Sequence, residues 1–197
     1  MTRLSVTLLD SFNSYLNDDI TENELIERIT RKFEGNYYTE RGSAFHKAIE
    51  NNTDTEGDFK FIGINRVIEA IENYKNHGIA ELKSSKVYVI DGEEIEVVGK
   101  ADYWMPSSIC ELKTTTYFNA NTYLNSIQWK CYMDLFDVKE VVYIVATLEP
   151  NTNTIKEINT LTMLYYDQIN VEIKELIGLF VNYLKSRGLY EYITSSN

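Results

Sequence analysis

Residues 99–113 read GKADYWMPSSICELK, a pattern that predicts two β-strands joined by a tight turn. Apolar and polar residues mix over strand length on both sides of the turn. Pro106 stands at the second position of the turn Met105–Ser108, where its fixed φ suits turns of type I or II. We therefore expect an antiparallel hairpin.

The register of this hairpin predicts which side chains meet. If the two ends of the turn pair with each other, Asp102 faces Glu111, and directly opposed Cβ atoms lie about 4.5–5.5 Å apart. Side chains alternate along a strand, so Glu111 and Lys113 share one face, with the backbone carbonyl of Leu112 between them. The sequence thus predicts two carboxylates and a lysine at one point of the hairpin.

Two carboxylates at this distance raise each other's proton affinity unless a cation lies between them. Hard oxygen ligands with room for water and phosphate are what Mg²⁺ or Mn²⁺ requires, and such a metal activates water against a phosphodiester. Lys113 is then placed to orient that water or to neutralise charge in the transition state. The alternative is an ordinary surface hairpin with solvated charges.

Four sequence elements occur in an order that resembles a known enzyme superfamily. They are Gly42–Glu50 with its Gly-x-x-x-His pattern, Gly99-x-x-Asp102, Glu111-Leu112-Lys113-Thr114 and Gln128-x-x-x-Tyr132. This set resembles the PD-(D/E)XK nuclease superfamily, in the branch of RecB-type and lambda-exonuclease-like enzymes that includes stand-alone phage-type exonucleases. Ala101 stands where the superfamily name has proline, but many relatives in this branch also have Gly-x-x-Asp.

The resemblance implies roles for seven residues. The metal ligands would be His46, Asp102, Glu111 and the carbonyl of Leu112. Catalysis would involve Asp102, Glu111 and Lys113, with Gln128 and Tyr132 steadying the substrate or the lysine beside them. One alternative for His46 is a structural hydrogen bond to Glu50, because residues four apart share a helix face.

The segment Ala120–Phe136 has a helical pattern with two stripes. The apolar stripe comprises Leu124, Ile127, Cys131 and Leu135. The polar stripe, displaced by about 100°, comprises Asn121, Asn125, Gln128 and Tyr132. A polar row beside a buried row fits a helix that lines a cleft, and it also fits simple solvent exposure.

The remaining patterns predict an α/β (α+β) architecture. Further helices are expected near Leu8–Leu16, Glu22–Phe33, Glu40–Glu50, Phe59–Asn76 and Ile169–Leu184. Strands are expected near Lys86–Ile90, Glu94–Trp104, Ser108–Thr115, Val141–Leu148 and Ile155–Tyr166. With the resemblance, this implies a restriction-endonuclease-like core, in which helices flank a central mixed β-sheet after an N-terminal helical portion.

Composition sets the outer bounds. The 197 residues, 44% of them hydrophobic, suit one domain spanning 1–197. The chain has no apolar run of transmembrane length, and Met1–Ser5 does not open a signal peptide, so we expect no membrane and a cytoplasmic location, the host's if a phage encodes the protein. Cys110 and Cys131 are expected to be buried free thiols. Two cysteines cannot build the four-cysteine iron–sulfur cluster of some relatives, so none is expected.

The charge balance argues against tight binding of nucleic acid. There are 19 basic and 30 acidic residues, a formal net charge of −11, whereas phosphate binding depends on Lys and Arg. A local cluster could suffice, and the segments near the expected site contribute Arg31, Lys32, Arg41, Lys47, Lys100, Lys113 and Lys130. We therefore predict weak, salt-sensitive DNA binding, or help from a homo-oligomeric ring or a recombination or replication partner protein.

Three functions fit this sequence. The first is a Mg²⁺- or Mn²⁺-dependent DNA exonuclease, acting on double- or single-stranded DNA in recombination, repair or replication. The second is a PD-(D/E)XK endonuclease, structure-specific or of restriction type. The third is a non-catalytic nuclease-fold binding or inhibitor protein that uses its acidic surface on a basic partner. The sequence leaves open DNA or RNA, strand polarity and oligomeric state.

Overall fold

A computed structural model describes residues 2–194 of the protein. Within this range six strands form one mixed sheet: β1 (Thr2–Ser5), β4 (Ile79–Ile90), β5 (Glu93–Met105), β6 (Ser108–Thr115), β7 (Glu140–Leu148) and β8 (Ile155–Leu164). A separate two-stranded hairpin consists of β2 (Thr55–Glu56) and β3 (Phe59–Lys60). The β1–β5 and β6–β7 pairs are parallel, and β4–β5, β5–β6 and β7–β8 are antiparallel.

The helices cover both faces of the sheet. They are α1 (Val6–Leu16), α2 (Glu22–Ile29), α3 (Tyr37–Glu50), α4 (Asn65–Ala70), α5 (Glu72–His77), α6 (Ala120–Leu124), α7 (Gln128–Phe136), α8 (Ile169–Ser186) and α9 (Glu191–Thr194). One apolar core joins α1, α2, α7 and α8 to the sheet, and a second joins α3 and α4 to the opposite face. Alternation along β6 serves both cores, because Ile109 enters the first and Cys110 the second. The expected α/β class with a central mixed sheet between helices is confirmed.

Strand β5 organises the site. Strand β4 pairs with it along nearly its whole length, from Glu93 to Trp104. The other edge is shared, because β1 pairs with residues 95–98 and β6 pairs with residues 103–105. Residues 99–102 lie between these two partners, where the sheet splits. The Gly-x-x-Asp motif occupies this split.

Several element boundaries differ from the sequence expectations. The helix expected over Phe59–Asn76 is wrong in its first part, because Phe59 and Lys60 pair in the small hairpin and helix starts only at Asn65. Strand β4 begins seven residues before the expected Lys86, since its polar first half is held by pairing with β5. The helix expected over Ala120–Phe136 is interrupted between α6 and α7. Among residues 2–194, every helix is too short or too polar to cross a bilayer.

Candidate active site

The predicted hairpin register is present at its turn. Met105 pairs with Ser108 and Tyr103 with Cys110, and the ladder stops there. Asp102 and Glu111 come next in this register, but the carboxylate of Asp102 enters the gap and its Oδ2 accepts the backbone N–H of Leu112 at 2.8 Å. Glu111 Oε2 lies 3.5 Å from the backbone nitrogen of Asp102. Side-chain oxygens thus replace ladder bonds where the strands separate.

Gly99 explains why the motif begins with a residue that lacks a side chain. A Cβ at this position would lie 3.1 Å from Cε1 of Tyr132, 3.2 Å from Cδ2 of Leu135 and 3.2 Å from Cγ2 of Val6. These atoms belong to α7 and α1, which both cross β5 here. The glycine therefore allows α7 to approach the sheet closely enough for its polar residues to reach the split.

Helix α3 brings His46 to the same place. The helix begins after Asn36, whose side chain caps the backbone N–H groups of Tyr38 and Thr39. Nδ1 of His46 lies 3.2 Å from Oδ1 of Asp102. The structure thus pairs His46 with Asp102 across elements, instead of with Glu50 on its own helix.

Glu111 is the most enclosed charged group of the site, with 4% of its surface exposed. Its Oε1 accepts hydrogen bonds from Nζ of Lys113 at 3.1 Å and from Nε2 of Gln128 at 2.9 Å. Burial raises the pKa of Glu111 to about 7; the Lys113 charge opposes this shift and the Asp102 charge adds to it. A carboxyl group in a cleft whose pKa is raised in this way is typical of functional sites.

The other titratable groups respond to the same charges. Burial lowers the pKa of Lys113, but the Glu111 and Asp102 carboxylates outweigh burial and leave that pKa raised. Burial also disfavours charge on His46, yet its hydrogen bond to Asp102 and the Asp102 charge raise the His46 pKa. Burial raises the pKa of Asp102, and the His46 bond and the nearby cations reverse this into a lowering. The four groups therefore form one interacting set of charges.

Helix α7 supplies the polar side of the site. Gln128 Nε2 also donates to Oη of Tyr132 at 2.9 Å, and that hydroxyl donates to the backbone carbonyl of Lys100 at 2.7 Å. Both side chains are buried, at 8% and 3% exposure. The cleft interpretation of the polar stripe therefore holds for these two residues, whereas Asn121 and Asn125 are exposed.

The apolar stripe of this segment is also only partly buried. Ile127, Cys131 and Leu135 lie in the core, but Leu124 is 46% exposed. The helix is interrupted between α6 and α7, so Leu124 ends α6 and does not continue the stripe of α7. Both cysteines are buried free thiols, as expected.

These residues line a cleft of about 1060 Å³ between α1, α3, α7 and the split sheet. Of the expected cations, Lys47, Lys100 and Lys113 line it. Arg41 does not, because it is buried, with Tyr37 and Tyr38 beside its guanidinium. The remaining three expected cations, Lys130, Arg31 and Lys32, also lie outside the lining, and Lys130 bonds to Glu172.

Sequence reasoning missed four charged residues of the cleft: Arg3, Asp10, Glu81 and Lys83. Glu81 has a φ of +56° and forms an ion pair with Lys100 on the neighbouring strand. It lies at an interruption of the β4–β5 ladder, because Ala80 and Leu82 pair with β5 and Glu81 does not. Asp10 lies on α1, and the packing of that helix against the sheet places it in the cleft.

The donor set, two carboxylates, an imidazole and a backbone carbonyl, fits a hard divalent cation in its chemistry. Among residues 2–194, however, no group of three or more His, Cys, Asp and Glu side chains is arranged as a metal site. In this arrangement Glu111 Oε1 accepts hydrogen bonds from Lys113 and Gln128.

Comparisons with known proteins identify the fold. No protein-family profile and no curated protein matches the chain. Among solved structures, SSO0001 is similar with a TM-score of 0.58 and 14% identity over 90% of this chain and 74% of the other. The alkaline exonuclease LHK-Exo from Laribacter hongkongensis matches with a TM-score of 0.54 and 13% identity, over 98% of this chain and 91% of the other. The structure of LHK-Exo in complex with dAMP matches with a TM-score of 0.56 and 12% identity, over 96% of this chain and 90% of the other. The chain therefore has the fold of an alkaline exonuclease, the nuclease fold that its resemblance to the lambda-exonuclease-like branch of the PD-(D/E)XK superfamily implies.

Proposed function

We propose that the protein is a Mg²⁺- or Mn²⁺-dependent nuclease that hydrolyses DNA phosphodiester bonds, and specifically an exonuclease serving recombination, repair or replication. The observation that carries this proposal is the meeting of Asp102, Glu111 and Lys113 where β5 and β6 separate. Lys113 bonds to Glu111, and the Asp102 carboxylate accepts the backbone N–H of Leu112, which lies between them in sequence. The open cleft therefore has cation-binding oxygens beside a proton donor. The exonuclease activity named for LHK-Exo, and its complex with dAMP, support the proposal of an exonuclease.

The ligands of the metal would be His46, Asp102, Glu111 and the backbone carbonyl of Leu112. When bound, the cation would supply activation of a water and neutralisation of the phosphoryl charge. Lys113, about one-third exposed, is placed to orient that water and to stabilise negative charge as it develops. Gln128 keeps Glu111 in position through the bond to its Oε1.

The cleft would admit the DNA backbone beside these groups. Its lining carries Arg3, Lys47, Lys83 and Lys100, but Arg3 is paired with Glu96 and Lys100 with Glu81. With part of the positive charge compensated in this way, we expect weak DNA binding that falls steeply with salt. A homo-oligomer or a recombination or replication partner in the cytoplasm would then hold the substrate. Undiminished binding of the isolated monomer at high salt would contradict this expectation.

Cleavage of end-labelled linear DNA, single- and double-stranded, tests the proposal in the presence of Mg²⁺, Mn²⁺ or EDTA. We expect metal-dependent cleavage that Glu111→Gln reduces by more than about 100-fold, since even the partners of metal ligands contribute about 10–100-fold. Glu157→Gln is the matched control, because Glu157 is an exposed strand glutamate on β8 outside the cleft. Equal cleavage by wild type and Glu111→Gln would refute the site.

Closed circular DNA distinguishes the two modes of cleavage. An exonuclease requires an end, so we expect linear DNA to be degraded while the closed circle survives. Nicking of the circle by wild type, but not by Glu111→Gln, would keep the site and change the function to that of an endonuclease.

A non-catalytic binding protein is the second candidate, and one observation favours it. Within residues 2–194 no three acidic, histidine or cysteine side chains form a ready metal site, and the carboxylates are instead bonded to His46 and Lys113. Calorimetric titration with Mn²⁺ separates the candidates. Heat of binding in wild type and its loss in Asp102→Ala support the nuclease, whereas no binding and no cleavage of DNA or RNA support the second candidate.

A further inference from the structure

Helix α1 is tied to the start of α7 by a carboxylate. Oδ1 of Asp10 accepts a hydrogen bond from the hydroxyl of Ser126 at 2.7 Å and another from the backbone N–H of Ile127 at 3.0 Å. Ile127 is the N-cap of α7 and has no capping side chain. Asp10 therefore supplies from another helix the acceptor and the negative charge that a helix N-terminus requires.

This contact continues into the candidate active site. The Ser126 hydroxyl oxygen accepts the backbone N–H of Gln128 at 3.1 Å. The side chain of Gln128 in turn donates to Glu111 Oε1 at 2.9 Å. Each link is a hydrogen bond of ordinary length. Asp10 thus connects to Glu111 through the first turn of α7, and it also lines the cleft.

We propose that Asp10 is a positioning residue for the hydrolytic reaction. It orients the first turn of α7 so that Gln128 holds Glu111 in its working geometry. The proposal rests on the proposed nuclease function and adds to it a residue from the N-terminal helix. Loss of Asp10 leaves the Ile127 N–H and the Ser126 hydroxyl without their acceptor, so the first turn of α7 can move and Glu111 loses a fixed partner.

Asn13 provides a matched control on the same helix face. Its Nδ2 donates to the backbone carbonyl of Asn125 at 2.8 Å, so it anchors the same junction. Asn125 is the C-cap of α6, and this bond does not involve the N–H groups that open α7. Removing Asn13 should therefore weaken the α1 contact without releasing Gln128.

The test measures kcat and KM for DNA cleavage together with the melting temperature. We expect Asp10→Ala to lower kcat by about 10–100-fold, the usual effect of a residue that supports a ligand, with KM nearly unchanged. Asp10→Asn keeps the acceptor oxygen and should recover most of the loss. Asn13→Ala should lower the melting temperature and leave kcat unchanged. Equal losses of kcat in Asp10→Ala and Asn13→Ala would overturn the proposal.

A double-mutant cycle separates positioning from general destabilisation. If Asp10 acts through Gln128, adding Asp10→Ala to Gln128→Ala should change kcat little, because the interaction is already lost. Effects that multiply would overturn the proposal. If Asp10→Ala does not fold, Ser126→Ala takes its place, since it removes the hydroxyl that joins Asp10 to the Gln128 N–H.

A spectroscopic measurement keeps this inference distinct from the proposed function. If wild type cleaves no nucleic acid under any condition, the proposed function fails. The side-chain amide resonances of Gln128 in a ¹⁵N–¹H NMR spectrum then decide the positioning role. A shift of these resonances in Asp10→Ala but not in Asn13→Ala supports the role, and unchanged resonances in both overturn it.

Discussion

A single methyl group at Gly99 should destabilise the protein and disturb its site. The added Cβ would lie 3.1–3.2 Å from side-chain carbons of Tyr132, Leu135 and Val6, closer than ordinary van der Waals contact. Two of these residues are on α7 and one is on α1, so side chains of both helices must give by a few tenths of an ångström where they pack on β5. Because Tyr132 bonds to Gln128, displacement of α7 reaches Glu111.

The expected magnitude follows from two opposing effects. Overpacking of a filled core costs about 1–3 kcal/mol. Replacing glycine by alanine stabilises by about 0.4–1 kcal/mol, because the unfolded chain loses freedom. Overpacking wins, because the central values of about 2 and about 0.7 kcal/mol leave a net loss of about 1.3 kcal/mol, which lowers the melting temperature by roughly 3–5 °C for a chain of this length. We also expect slower DNA cleavage by Gly99→Ala at temperatures where it remains folded.

Thermal unfolding followed by circular dichroism measures this effect, with Gly178→Ala as the control. A Cβ at Gly178 in α8 would lie 3.5 Å from Cγ2 of Ile90, an ordinary contact. There the helix propensity gain of about 0.5–1 kcal/mol should raise the melting temperature. A melting temperature of Gly99→Ala equal to or above that of wild type would refute the close-packing explanation of the motif glycine.

Three further predictions concern the site and the scaffold. Tyr132→Phe should lower the free energy of unfolding by about 1–3 kcal/mol, because the buried amide of Gln128 loses an acceptor. Urea unfolding measures this loss, and an unchanged unfolding midpoint would contradict it. Lys47→Ala and Lys83→Ala change cleft cations that form no ion pair among the described residues. If the lysine contacts one phosphate, each substitution should reduce the slope of the logarithm of the DNA-binding constant against the logarithm of salt concentration by about 0.7–0.9. Fluorescence anisotropy with labelled DNA at several salt concentrations measures this slope. A slope identical to that of wild type would exclude the contact. Asp134→Ala removes an acceptor of the Tyr88 hydroxyl and of Lys86 Nζ. We therefore expect the free energy of unfolding to fall by about 1–3 kcal/mol while kcat stays unchanged. A fall in kcat at full stability would contradict a purely structural role of Asp134.

Local chemistry made part of the site predictable. A turn and strict alternation set the hairpin register, so the facing positions of Asp102 and Glu111 followed from nearby residues alone. Helical spacing likewise placed Gln128 and Tyr132 on one face. The resemblance added His46, which is distant in sequence and which no local rule connects to the hairpin.

The sequence by itself determined the hairpin, the α/β class and the facing positions of Asp102 and Glu111, because these depend on periodicity and turn chemistry over a few residues. Only the tertiary structure decided where the β5–β6 ladder ends, since β1 takes the same edge of β5 from more than ninety positions away. The structure also decided the left-handed conformation of Glu81, the break between α6 and α7, and the place of Asp10. Each of these depends on which distant surfaces pack together, and local propensity does not encode that choice.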